Sequence, residues 1–193
     1  MVRESNTRMH GEPRLAGLSG PAHLDATVLP HLDAAYNLAR WLVRHPQDAE
    51  DVVQEACLRA VRFAGGYREE NPRAWFLRIV RNTAYSFLER NHPAELVEPF
   101  DETLHVSQDP GAEAALLRAC ENQALQVALE ELPVRFREAL ILRELEGLSY
   151  RQISEIMEIP MGTVMSSLAR ARAQLRRILI VRREPEVPRV LRK

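Results

Sequence analysis

Twenty residues in the middle of the chain, HPAELVEPFDETLHVSQDPG from His92 to Gly111, constrain how everything around them can fold. They hold three prolines and several acids, with no lysine or arginine. Proline removes a backbone donor and disfavours helix in the residue before it, so the stretch reads as an acidic flexible linker over 93–111. A chain of 193 residues is long enough for two small domains, one on each side.

On both sides the apolar residues recur three and four apart, the period of a helix. Leu32, Tyr36, Ala39, Leu42 and Val43 mark a first helix over about 28–44, broken at His45-Pro46. A second runs from about Asp48 to Phe63, with acids in its first turn and a stripe of Val52, Cys57 (or Ala56), Ala60 and Phe63. Asn71-Pro72 starts a third, PRAWFLRIVRNTAYSFLER, in which Trp75, Ile79 and Leu88 can turn to the core. Helices resume from about Ala112 to Leu132, and Pro133 opens another to about Leu145, with Gly147 as the cap residue after it. Two helices joined by a short turn follow, Tyr150–Met157 with Ser149 as N-cap, and Met161 to about Ile178. In the latter, Val164, Leu168, Ala171 and Leu175 form one apolar stripe facing Ile153 and Ile156, while Ile159 plugs the turn. With 46% apolar residues, 6% aromatic and no useful β alternation, the fold class is all-α: two small helical domains, 28–92 and 112–183, flanked by an arm 1–27 and a tail 184–193.

The net charge of −1 conceals strong local imbalance. From Ser149 to Arg183 seven arginines stand against Glu155 and Glu158, a net of +5. A recognition helix uses its N-terminal residues for base edges and its flanks for phosphates, and such a basic end is an electrostatic footprint for nucleic acid. A helical hairpin with a solvated basic face is the plainer alternative. In the first domain, seven arginines between Arg59 and Arg90 oppose three glutamates, and Arg78, Arg81 and Tyr85 share a side of the third helix. That combination suits backbone tracking and base stacking on a single strand, and equally a core tyrosine beside solvated arginines. The stretch from His45 to Leu58 carries Asp48, Glu50, Asp51 and Glu55 with no lysine or arginine; it repels DNA, so it fits a protein partner or a solvated helix start. No Gly-rich phosphate loop, HExxH or G-x-S-x-G motif occurs, so no catalytic, metal or cofactor site is expected and the chain reads as a non-enzyme. Cys57 and Cys120 lie in apolar runs as reduced core residues, and no apolar run approaches the ~20 residues of a membrane span, so a cytoplasmic location is expected.

Together, DAEDVVQEACLRAVRF, PRAWFLRIVRNTAYSFL and LEELPVRFREALILRELEGLSYRQISEIMEIPMGTVMSSLARARAQLRR resemble bacterial sigma factors of the extracytoplasmic-function type in the sigma-70 family, from about Leu29 to Leu179. The resemblance implies a sigma region 2 bundle and a sigma region 4 helix-turn-helix that together direct core RNA polymerase to promoters. Asp48, Glu50, Asp51, Gln54 and Glu55 would dock on the clamp coiled coil of the polymerase. The loop from about Ala64 to Arg73 and the helix after it would take the single-stranded -10 element and a flipped base, through Tyr67, Arg68, Asn71, Arg73, Trp75, Arg78, Asn82 and Tyr85. The -35 duplex would be read by Arg151, Thr163, Met165, Ser166, Ser167, Ala169, Arg170, Arg172 and Arg176. The linker would thread the polymerase, and an anti-sigma factor is an expected partner. Where the family commonly carries basic residues, this chain has Met165 and Ser167, which implies an unusual -35 element read partly through thymine methyls. Two other functions fit parts of the pattern: a helix-turn-helix regulator acting without polymerase, and a sigma-mimicking adaptor that binds an anti-sigma factor.

Overall fold

The computed structural model describes residues 27–63, 71–96 and 123–183, every regular element of which is helical. The arm, the loop with Tyr67 and Arg68, Cys120, the tail and all but the first residues of the linker lie outside the described residues.

The first half contains α1 (Leu32–Val43), entered through a 3-10 turn at Leu29–His31, then α2 (Pro46–Phe63) and α3 (Pro72–Asn91). α1 stops because Arg44 turns left-handed at φ 67°, its N–H returning to the Arg40 carbonyl. A non-glycine residue resists that conformation, and here it is held from outside: the Arg44 guanidinium donates to the Glu130 carbonyl at 2.7 Å. α3 begins at Asn71, whose side chain accepts the Ala74 N–H at 3.1 Å, leaving Pro72 at a position where a missing donor costs nothing. The three helices pack on one another around Leu38, Leu42, Val52, Ala56, Phe76, Leu77 and Leu88, all at most 2% exposed. The α2 stripe runs through Ala56 and leaves Cys57 half-buried, because Val52, Ala56 and Ala60 keep a spacing of four. Phe63, at the last residue of the helix, stays 60% exposed, contrary to the expected stripe.

The second half contains α4 (Gln123–Glu130), α5 (Val134–Leu140), α6 (Tyr150–Met157) and α7 (Met161–Arg183). α5 runs on as a wide π turn, Ile141–Leu145, which the Glu146 N–H closes on the Ile141 carbonyl at 3.0 Å. Gly147 follows at φ 65°, the left-handed geometry expected of it. Ser149 caps α6 as expected, and Gln152 completes a reciprocal capping box with it. Val164, Leu168, Ala171 and Leu175 meet Ile153 and Ile156, all at most 3% exposed; at about 1.5–3 kcal/mol per buried large aliphatic side chain, this stripe is the main force seating α7. α7 runs five residues past the expected end at Ile178, to Arg183.

The two halves are in contact, α3 lying against α6 and α1 against α5, with one buried cluster running through both. Arg137 sits between them with no exposed surface. Its guanidinium donates to the Glu130 carbonyl at 2.9 Å, Leu132 at 3.4 Å and Leu42 at 3.4 Å, so one cation meets the carbonyl ends of α1 and α4, where helix dipoles favour positive charge.

Candidate nucleic-acid interface

Three surfaces carry the residues singled out in the sequence. On α7, Met165 is 46% exposed and Met161 51%, with Gly162, Ser166 and Arg170 also on the outside at the N-terminal end of the helix. Thr163 and Ala169 are half-buried beside them, and Arg176 is exposed further along. Ser166 donates its hydroxyl to the Thr163 carbonyl at 3.0 Å, so that oxygen is presented outward chiefly as an acceptor. Arg151, on α6, reaches solvent while pairing with Glu155 at 3.1 Å. Two candidates are placed differently. Ser167 is 3% exposed, being three residues after Val164 and four before Ala171, on the core side of the helix. Arg172 turns inward to Glu144 at 2.6 Å; burial alone would weaken its charge, but the Glu144 carboxylate outweighs that and holds its pKa above the ordinary value. Arg172 thus braces α7 against the π turn.

On α2, Glu50, Asp51 and Gln54 are exposed, and Asp48 and Glu55 are half-buried. Glu55 accepts from Arg59 at 2.9 Å, a bond that pulls its carboxyl below the usual range. Leu58 (50% exposed) and Val61 (54%) continue the line of Asp51 and Gln54 by steps of four and three, giving one face acidic at its start and apolar at its end. Sequence reasoning missed the apolar part, although the same spacing rule contained it.

The third surface, α3, is not open to solvent along the side expected to take a strand. Arg73 pairs with Glu146 at 2.5 Å. Tyr85 donates its hydroxyl to Glu138 at 2.7 Å, and Arg81, which shared its helix side but lay outside the candidate set, donates to the other carboxylate oxygen at 2.8 Å. The Arg81 guanidinium also stacks 4.3 Å from the centre of the Tyr85 ring and donates to the Asn82 side-chain oxygen at 3.1 Å. Burial raises the Glu138 carboxyl, against the opposing pull of Arg81 and the Tyr85 hydroxyl. Burial and then the Glu138 charge push the Tyr85 hydroxyl far above the ordinary phenol range, so it remains a donor. Trp75 is 7% exposed and belongs to the core, Asn71 is the α3 cap, and Arg78 is half-buried.

Residues 27–93 match the family described as Sigma-70 region 2, and residues 122–175 match Sigma-70, region 4. The chain is 34% identical over 155 residues to the ECF RNA polymerase sigma factor SigE of Mycolicibacterium smegmatis, covering 79% of this chain and 60% of that protein. It is 34% identical over 164 residues to the RNA polymerase sigma-H factor of Pseudomonas aeruginosa, covering 80% and 85%. In shape it is similar to the sigma factor RpoE in its complex with the anti-sigma factor NepR from Bartonella quintana, with a TM-score of 0.62, 27% identity, and 82% and 98% of the two chains covered.

Proposed function

Because this chain belongs to the sigma-70 family, in its extracytoplasmic-function branch, we propose that it joins core RNA polymerase and directs initiation at promoters carrying its own -10 and -35 elements. The observation that carries the reading is the occurrence of both sigma regions, in order, in one chain that spans 85% of a sigma factor's length. This family is not one of catalytic enzymes; the chain's part is recognition, and the polymerase supplies the chemistry in the cytoplasm. Among the described residues no helix is long and apolar enough to cross a membrane. Residues 28–92 form the polymerase-binding and -10 unit, 112–183 the -35 unit, and 93–111 the connector between them.

The docking face is that of α2. Glu50, Asp51 and Gln54 give it charge and direction, and Leu58 and Val61 give it an apolar patch that dehydrates on contact. Exchanging Glu50 and Asp51 together for arginine reverses the local field without touching a buried side chain. Capture of core polymerase by the double variant is expected to fall at least tenfold with the thermal midpoint unchanged; surface plasmon resonance against immobilised core enzyme checks it, and unaltered capture would exclude this face.

The -35 face is the N-terminal end of α7: Met161, Thr163, Met165, Ser166, Ala169 and Arg170, with Arg151 and Arg176 placed for phosphates. Its uncharged front favours thymine methyls over guanine. Met165→Arg is expected to move preference toward guanine at one -35 position by roughly tenfold, as one bidentate pair contributes about 1–3 kcal/mol. Sequencing transcripts initiated from a randomised -35 library reads this directly, and an unchanged preference at every position would refute the assignment. By analogy with the solved relative, which is bound by an anti-sigma factor, the chain is also proposed to be held by such a partner.

A further inference from the structure

The stripe that seats α7 is apolar, and apolar contact has little direction of its own. Val164, Leu168, Ala171 and Leu175 hold the helix down, but Ala171, in mid-stripe, offers a single methyl and so little to interlock against a roll about the helix axis. Roll matters to the face on the other side. Side-chain atoms lie about 5–6 Å from a helix axis, so a roll of about 10° carries Met165 and Ala169 roughly 1 Å sideways. A recognition site tolerates about 0.5 Å.

A directional contact stands close to that face, from Arg172 Nη2 to Glu144 Oε1 at 2.6 Å. Glu144 makes a firm anchor, because its side chain is 3% exposed and the π turn that carries it is fastened at both ends. The Glu146 N–H closes on the Ile141 carbonyl and the Leu148 N–H on the Leu142 carbonyl, each at 3.0 Å. Arg143 donates to the Leu148 carbonyl at 2.9 Å, and its guanidinium stacks 5.1 Å from the centre of the ring of Tyr150, the first residue of α6. The turn, the start of α6 and the middle of α7 are thus tied together around one carboxylate.

Arg172 stands seven residues after Met165, two turns on and nearly in line with it. Its backbone position is on the outward line of the helix, and Glu144 draws the guanidinium in from there. The pair therefore fixes roll and, in the same contact, withholds a cation from phosphates.

We propose that Glu144 is a specificity-determining positioning residue for -35 recognition: through Arg172 it sets the roll of α7, and with it the base edges that Met165, Ser166 and Ala169 meet. The proposal rests on the sigma-factor reading of α7 and adds to it a buried residue, off the reading face, that governs selectivity. A positioning role and a merely structural one differ in sign. Loss of packing lowers affinity for every duplex. Removal of the Glu144 charge instead releases Arg172 to a phosphate, so affinity for unrelated duplex rises while choice among -35 sequences flattens.

Glu144→Gln keeps the shape and drops the charge. With the full chain, core polymerase and a randomised -35 library, enrichment of the preferred element among sequenced transcripts is expected to fall at least fivefold. The free variant is expected to bind a random-sequence duplex about threefold tighter, with a salt slope steeper by about 0.9, the value of one added phosphate contact. Adding Arg172→Gln restores an amide-to-amide bond at the same place without a free cation; at least half of the lost enrichment is expected to return, with the wild-type salt slope. Unchanged enrichment in Glu144→Gln overturns the proposal, and so does a joint fall of enrichment and duplex affinity that the second substitution does not rescue. Where Glu144→Gln loses helical content by circular dichroism, Arg172→Lys decides, since an ammonium keeps the charge and lacks the planar fork. Enrichment at least threefold lower at the wild-type thermal midpoint supports positioning, and wild-type enrichment overturns it. Failure of the sigma reading is separate, since wild type with polymerase would then give no promoter-specific transcript.

Discussion

Arg137→Ala is expected to destabilise the fold by about 3–5 kcal/mol, one of the largest losses available to a single side chain here. The guanidinium is fully buried and donates to carbonyls of Glu130, Leu132 and Leu42, two of them in or beside the end of α4 and one in α1. Truncation removes these donors from three carbonyls, of which Glu130 keeps the Arg44 guanidinium, at about 1–3 kcal/mol for each group left without another partner, and empties the volume of the aliphatic stem. Arg137→Met refills the volume without restoring the donors, and is expected to recover about a third of the loss. Urea denaturation followed by circular dichroism gives both midpoints. A wild-type midpoint for Arg137→Ala would mean that the buried cation does not organise the junction between the halves.

Leu168→Ala is expected to cost about 2–5 kcal/mol and to abolish -35 recognition by loosening α7. Leu168 is 1% exposed at the centre of the stripe that meets Ile153 and Ile156. Met165, three residues earlier, is 46% exposed and turned outward. Met165→Ala is therefore expected to leave stability within about 0.5 kcal/mol of wild type while changing promoter preference. Thermal unfolding of both variants, set beside transcription from one promoter, separates the packing face of this helix from its proposed reading face. Equal midpoints for the two would contradict that division.

The contrast between these neighbours was legible in the sequence, because helical spacing alone sorts Val164, Leu168, Ala171 and Leu175 to one side. The caps at Ser149, Asn71 and Gly147 were legible for a related reason: each is a local requirement of the backbone, met within a few residues. Ser167 could have been placed on the core side by the same spacing; reading it by its place beside Met165 and Ser166 set it on the DNA face. What periodicity cannot supply is pairing across long separations. Glu138 with Tyr85 and Arg81, Glu146 with Arg73, and Arg137 with Leu42 join residues more than fifty positions apart. A glutamate in an amphipathic helix reads as solvated until the partner helix is known to carry arginine and tyrosine opposite it. The π turn at Ile141–Leu145 has no such local signature either, yet it lies between Glu138 and Glu146 and carries the Glu144 that braces Arg172. The basic side of α3 was thus identified by composition, and its engagement by the second half only by the fold.

As a sigma factor, this chain makes core polymerase choose promoters. Purified protein is mixed with core RNA polymerase and a library of randomised promoters, and the transcripts are sequenced. Initiation at a single class of promoter, with defined -10 and -35 elements and dependent on the intact Glu50 and Asp51 face, is the predicted result. Binding to duplex DNA with no polymerase-dependent transcript, or capture of an anti-sigma factor with neither, would contradict it.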